Sequence, residues 1–189
     1  MTPILHIRRH GRVKDWCKIM QMQTISASQG QDDDDGAIWK PDVTVATIVA
    51  RDGRFLIVEE RVRGELVLNQ PAGHLEPDES LADAARRETL EETGWTVELE
   101  HFLGVYQWSS GPADHFVRFA FAARPLAHDP QQPLDAGIVR ALWLTREEIA
   151  GAQARPRSPM VLRCIDDWIG GTRLPLTALR MLEPAGAGP

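Results

Sequence analysis

From Val43 the chain becomes abruptly apolar: VTVATIVA, a tight Arg51-Asp52-Gly53 turn, then FLIVEE. Short runs rich in β-branched residues on either side of an Asp-Gly turn predict two strands joined as a hairpin. Val67 to Asn69 reads as a short strand. Val97 to Trp108 and His115 to Ala123 read as longer ones, parted by Ser-Ser-Gly-Pro at 109–112, and Ala141 to Leu144 as the last. Ser80 followed by Asp83 is a helix start and Gly94 a fitting stop, so Leu81 to Thr93 should form one helix. Thr145 with Glu148 has capping-box spacing, and Ser158-Pro159 sets a cap and an N1 proline before the apolar-periodic Met160 to Ile169. Two helices therefore close the domain.

Residues 1–39 show no sustained periodicity: a basic stretch with Arg8, Arg9, Arg12, Lys14 and Lys18, a polar run, then Asp32 to Asp35. We expect a disordered extension there, with Met20 or Met22 as an alternative start, a domain over 40–183 and a frayed tail over 184–189. No internal repeat is present.

Composition narrows the class. The 189 residues are 43% hydrophobic and 25% charged, as in a globular domain, and the longest good apolar run, Val43 to Ala50, is far short of the roughly 20 residues that span a bilayer. The amino terminus lacks the apolar centre and cleavage site of a secretory signal, so a cytoplasmic protein without membrane association is expected. Cys17 and Cys164 have no zinc-like spacing and read as reduced thiols. A net charge of −6 argues against binding polymeric nucleic acid, which relies on lysine and arginine to neutralise phosphates. A small polyanion must then be met locally, with help from a cation.

The chemistry concentrates in PAGHLEPDESLADAARRETLEETGW, residues 71–95. On the expected helix, Glu88, Glu91 and Glu92 stand at i, i+3 and i+4, so three carboxylates share an arc of roughly 100°. Alone, such a triplet is either a solvated acidic face or a seat for a hard divalent cation, Mg²⁺ first and Mn²⁺ second. The framework decides: Gly73, five residues, Glu79, seven residues, Arg87-Glu88, two residues, Glu91-Glu92, one residue, Gly94. Chance agreement at all these positions is on the order of 10⁻⁹ per start. Thr89 and Trp95 depart from the aliphatic residues preferred at two softer positions, and both are expected to face the interior.

This is the spacing of the Nudix box, and the chain resembles the Nudix superfamily from about Lys40 to Leu179. Within it the likeness is to the NudJ-type phosphatases, through KPDVTVA, NQPAGHLE, YQW at 106–108, VRFAF at 117–121 and RSP at 157–159. The resemblance implies an α/β Nudix fold, a mixed β-sheet in an α/β/α sandwich. It implies a Mg²⁺-dependent hydrolase of phosphoanhydrides that releases orthophosphate from nucleoside tri- and diphosphates and from hydroxymethylpyrimidine diphosphate, with monomer as the default state. Glu88 and Glu92 would be metal ligands, Glu91 a third ligand or the group that orients water, and the carbonyl of Ala72 a further ligand. Arg87 would tie box carboxylates such as Glu79 together. His74 either touches a phosphate or is structural in its loop, and Glu76 is either a loop acid or a remote metal contact.

On a strand, Tyr106 and Trp108 share a side and offer either an aromatic wall for a base or two core aromatics. In the next strand Val117, Phe119 and Phe121 share one parity, which suits the core, and Arg118 points the other way, to solvent or to a cleft phosphate. Two rival functions remain: a Nudix pyrophosphohydrolase of another diphosphate, such as an oxidised nucleotide, ADP-ribose or a dinucleotide polyphosphate, and a nucleotide-sensing module without activity. The sensing module is disfavoured because no box carboxylate is missing. No Gly-Lys-Ser/Thr occurs, which argues against a P-loop enzyme.

Overall fold

A computed structural model of the protein describes residues 39–112 and 114–182. The expectations for residues 1–38 and for the tail from 183 lie outside the described residues. The elements run β1 (Asp42–Arg51), β2 (Arg54–Val62), β3 (Glu65–Asn69), β4 (Ala72–His74), α1 (Leu81–Thr93), β5 (Trp95–Ser109), β6 (His115–His128), β7 (Ile138–Leu144), α2 (Arg146–Gly151), β8 (Arg155–Pro156) and α3 (Pro159–Ile169). A single 3₁₀ turn follows at Leu176–Ala178.

The strands form one curled, mixed sheet ordered β5-β6-β1-β2-β3-β8, with β4 beside β1 and β7 beside β2. β1 runs parallel to β6 from Asp42 to Val49 and β3 parallel to β8, while the other pairs are antiparallel. β1 and β2 pair only at Ala50–Phe55 and Arg51–Arg54, on either side of the Asp-Gly turn, whose Asp52 and Gly53 both take positive φ. Earlier residues of β1, Thr44 to Ala46, pair with β4 instead. The sheet is thus two half-sheets joined at one end, β5-β6-β1-β4 and β7-β2-β3-β8.

Strand alternation supplies a core on each face. Val45 and Val49 of β1, Leu56 of β2, and Phe121 and Ala123 of β6 pack with Ala84 and Ala85 of α1. The opposite parity, Ile48, Phe55, Ile57, Ala120 and Ala122, packs with Val161, Cys164 and Ile165 of α3. A helix on each side of a mixed sheet is the α/β/α sandwich. The free thiol of Cys164 belongs to this second core, where burial pushes its pKa up to about 11.

The expected strands and helices all occur, with longer ends for β5, β6 and β7. β4 and β8 were not foreseen, because strands of three and two residues carry no period. Thr89 and Trp95 acquire partners their departures call for. Buried Thr89 shares a 2.7 Å hydrogen bond with Thr47 of β1 and also donates to the Ala85 carbonyl at 2.7 Å. Trp95 is half-buried, stacked on His128 and edge-on to Trp143, with the Arg51 guanidinium over both indoles.

Candidate active site

Helix α1 carries the acidic face because both its ends are fixed. The Ser80 side chain accepts from the Asp83 amide, and Gly94 ends the helix with φ 70°, its N–H donating to the Leu90 carbonyl. That left-handed turn suits glycine, and a Cβ here would lie 2.6 Å from the Asp129 carbonyl oxygen.

Glu88, Glu91 and Glu92 all line a cleft of about 540 Å³, together with Thr44, Gly73, His74, Arg87, Trp108 and Arg118 among others. Glu88 and Glu92 are 7% and 8% exposed, so two of the three carboxylates of the face are desolvated, while Glu91 is half-buried. Arg87 holds it together with one guanidinium. Its Nε and Nη2 donate to the two oxygens of Glu79 at 3.0 and 2.7 Å, and its Nη1 to Glu88 and Glu91 at 2.8 and 3.0 Å. Nη2 also donates to the His74 carbonyl at 3.1 Å, while Glu79 accepts from the Glu76 amide at 2.7 Å. The loop over 74–79 is thereby bound to α1 by a charge-assisted fork. The Arg87 hydrogen bonds hold the Glu79 carboxyl below its ordinary range, and the carboxylates raise Arg87 in turn.

Glu92 lies deepest. Burial pushes its pKa up to about 8 against the opposing hydrogen bond from the Ala72 amide, and the charges of Glu88, Glu60 and Asp135 push the same way. That amide reaches Glu92 at 2.8 Å. Glu88 is also raised by burial, with Arg87 opposing. A Cβ on Gly73 would come within 2.1 Å of the Glu88 carboxyl, so this glycine is what lets strand β4 pass over the acidic face.

One member of the cluster comes from outside the box. Oxygens of Glu88, Glu91 and Asp135 lie within 4.8 Å of one another. Asp135, in the β6–β7 loop, is held there by its own N–H donating to the Glu91 carbonyl at 3.1 Å. The sequence reading missed it, since an acid 43 residues after Glu92 in a loop has no periodic relation to the helix. Carboxylates this close repel one another, most of all at buried Glu88, and among the described residues Glu88 and Glu91 have Arg87 as their ion-pair partner. An all-oxygen donor set of this kind fits a hard divalent cation.

The other candidates divide. Trp108 lines the cleft, stacked on Phe116 with ring centroids 5.8 Å apart. His74 lines it too, and Arg118 turns out buried in its wall, not at the solvent edge. Tyr106 is not brought to the cleft: it packs against the α3-side core, and its hydroxyl donates to Asp167 of α3 at 2.9 Å. Tyr106 and Trp108 do share a side of β5, but α3 covers the first, while the second lies beside the start of that helix and lines the cleft.

The NUDIX domain family matches residues 39–164. Phosphatase NudJ of Escherichia coli (strain K12) is 44% identical over 139 residues, covering 74% of this chain and 90% of that protein. A NUDIX hydrolase from Nitrosomonas europaea is 45% identical, with a TM-score of 0.73 over 76% of this chain and 98% of that one. A MutT NUDIX hydrolase from Burkholderia pseudomallei, at 20% identity and TM-score 0.58 over 68% of this chain and 98% of its own, shares the fold. The chain belongs to the Nudix hydrolases. Among the described residues no helix is long and apolar enough to cross a membrane.

Proposed function

We propose that this hydrolase is a Mg²⁺-dependent phosphatase, with Mn²⁺ as a substitute, which releases orthophosphate from nucleoside tri- and diphosphates and from hydroxymethylpyrimidine diphosphate in the cytoplasm. The observation that carries the reading is the cluster of buried Glu88, half-buried Glu91 and exposed Asp135 at a cleft whose wall also holds the buried cation Arg118. The likeness to proteins named Phosphatase NudJ supports it further.

Glu88, Glu91 and Asp135 would hold the cation, with Glu92 beside them and the Ala72 carbonyl as a further donor. Bound there, the cation would supply charge neutralisation at phosphate oxygens. Arg87 acts as a positioning residue: with Glu79 as its anchor it sets the Glu88 and Glu91 carboxylates before substrate arrives, which avoids reorganisation during the reaction. Trp108, with Phe116 behind it, offers a flat wall to a nucleobase or pyrimidine. His74 stands at the rim within reach of a phosphate.

The test is a substrate panel with orthophosphate and pyrophosphate quantified separately. Orthophosphate should be the main product from nucleoside triphosphates, and activity should vanish in EDTA and return with Mg²⁺. Pyrophosphate as the main product would reject the phosphatase reading in favour of a pyrophosphohydrolase. Activity undiminished by chelator would reject the metal.

A further inference from the structure

Four buried side-chain atoms of the described residues lack a hydrogen-bond partner: Thr44 Oγ1, Glu60 Oε1, Arg118 Nε and Ser158 Oγ. Thr44, Arg118 and Ser158 line the same cleft, from β1, β6 and the N-cap of α3. They are 6%, 5% and 6% exposed. An unpaired buried polar atom is costly, most of all on a charged group, so three in one wall mark a place built for something else to bind. Ser158 is the sharpest case: it holds the N-cap position the sequence predicts and lines the cleft, yet its buried hydroxyl makes neither the cap bond nor any other.

Arg118 says what the missing group is. Its Nη1 makes only long contacts, 3.4 Å to Asn69 Oδ1 and 3.3 Å to Gln70 Oε1, both neutral oxygens. Among the described residues it forms no ion pair, and Arg157, which also lines the cleft, pairs with Glu60. A guanidinium stripped of water, which Glu60 and Glu92 reach through space without a hydrogen bond, calls for an anion from outside. Behind it the wall is solid: fully buried Gln70 donates to the Val161 carbonyl at 2.6 Å, and Cys164 and Val161 fill the core.

We propose that Arg118, Ser158 and Thr44, flanked by Asn69 and Arg157, form a subsite for the terminal, unesterified phosphate of the substrate, next to the carboxylate cluster. The inference rests on the phosphatase reading above and names the end of the substrate that the cleft grips. A terminal phosphate presents unsubstituted oxygens that accept from the Arg118 fork and from both hydroxyls, and the first turn of α3 favours negative charge. A phosphate bearing a second substituent has fewer free oxygens and less charge to offer these donors. The subsite therefore favours nucleoside and pyrimidine polyphosphates with free ends over sugar-linked diphosphates and dinucleotides.

The experiment uses the full chain and inorganic phosphate as the probe, in EDTA so that metal does not contribute. Wild-type melting temperature should rise with millimolar phosphate. Ser158→Ala and Thr44→Val remove hydroxyls that have no partner to lose, so both should fold as wild type, yet their phosphate response should fall by more than half; Arg118→Met should abolish it. With metal restored, Ser158→Ala should raise KM for nucleoside diphosphates about tenfold, the usual weight of a hydrogen bond to a charged group. An undiminished phosphate response in the folded Ser158→Ala and Thr44→Val proteins overturns the subsite. So does a changed preference among bases with that response intact, which would mean these groups read a nucleobase edge. Should triphosphates yield pyrophosphate while the phosphate response still depends on Ser158 and Arg118, the phosphatase reading fails and the anion subsite stands.

Discussion

At the scale of single residues, the acidic centre behaves as a strained arrangement that a cation relieves. Glu92 is raised from 4.5 to about 8 in the folded, metal-free protein. An acid whose folded pKa lies above its unfolded value contributes stability that is fully present below the unfolded value and is lost as pH rises through the folded one. Metal-free protein should therefore lose stability on this account between about pH 4.5 and pH 8. Glu92→Gln removes the titration: calorimetry in chelator should show its melting temperature gaining on wild type as pH rises through that window. Turnover with Mg²⁺ should nonetheless fall by orders of magnitude, and likewise for Glu88→Gln. A melting difference flat with pH would mean that Glu92 is solvated in the free protein. The glutamates and Arg87 were legible in the sequence because a helix converts spacing into a shared face. Asp135 was not, because only a backbone hydrogen bond from a distant loop puts it there, and neither was the depth to which Arg118 is buried, which depends on what α3 covers.

Among elements, the join between α1 and the preceding loop depends on one fork. Arg87 reaches Glu79, Glu88, Glu91 and the His74 carbonyl at once, a reach that a lysine ammonium on a single point cannot reproduce. Arg87→Lys should keep the charge and the fold but weaken Mg²⁺ binding, by about tenfold or more, as loss of an outer-shell partner usually does. Metal titration followed by calorimetry measures it, and an unchanged affinity would show that the carboxylates position themselves. The boundaries of α1 were legible through Ser80 and Gly94, whose roles are local. The short β4 was not, although it brings Ala72 and Gly73 to the acidic face. The strand it pairs with, β1, lies far off in sequence, and pairing of that kind leaves no periodic trace in three residues.

For the whole molecule, residues 40–182 hold the two cores and every residue of the candidate site. The segment over 1–39 has no periodic apolar face to bury, so its removal should leave kcat, KM and melting temperature almost unchanged. A drop of several degrees would show that the enzyme needs a larger folded unit than the family region. Strand parity was readable in β6, which is why Arg118 could be set on the opposite side from Phe119 and Phe121. The order of the strands, with β1 between β6 and β2, was not, since parallel pairing joins segments more than seventy residues apart, as at Thr44 and Arg118.

The single short seam between the half-sheets, at Ala50 and Arg51, has a consequence for how such an enzyme diversifies. The glutamates and Arg87 ride on α1, which packs on β1, β4 and β5, whereas Asn69, Arg157 and Ser158 come from the end of β3 and from the chain that leads from β8 into α3. One side of the cleft is thus carried by chain that does not support the glutamates, while Thr44, Trp108 and Arg118 share the half-sheet on which α1 packs. Exchanges at positions 69, 157 and 158 can redirect the enzyme to new substrates without disturbing the glutamates, and a lineage can explore new chemistry at its cleft's far wall while its turnover machinery stays untouched.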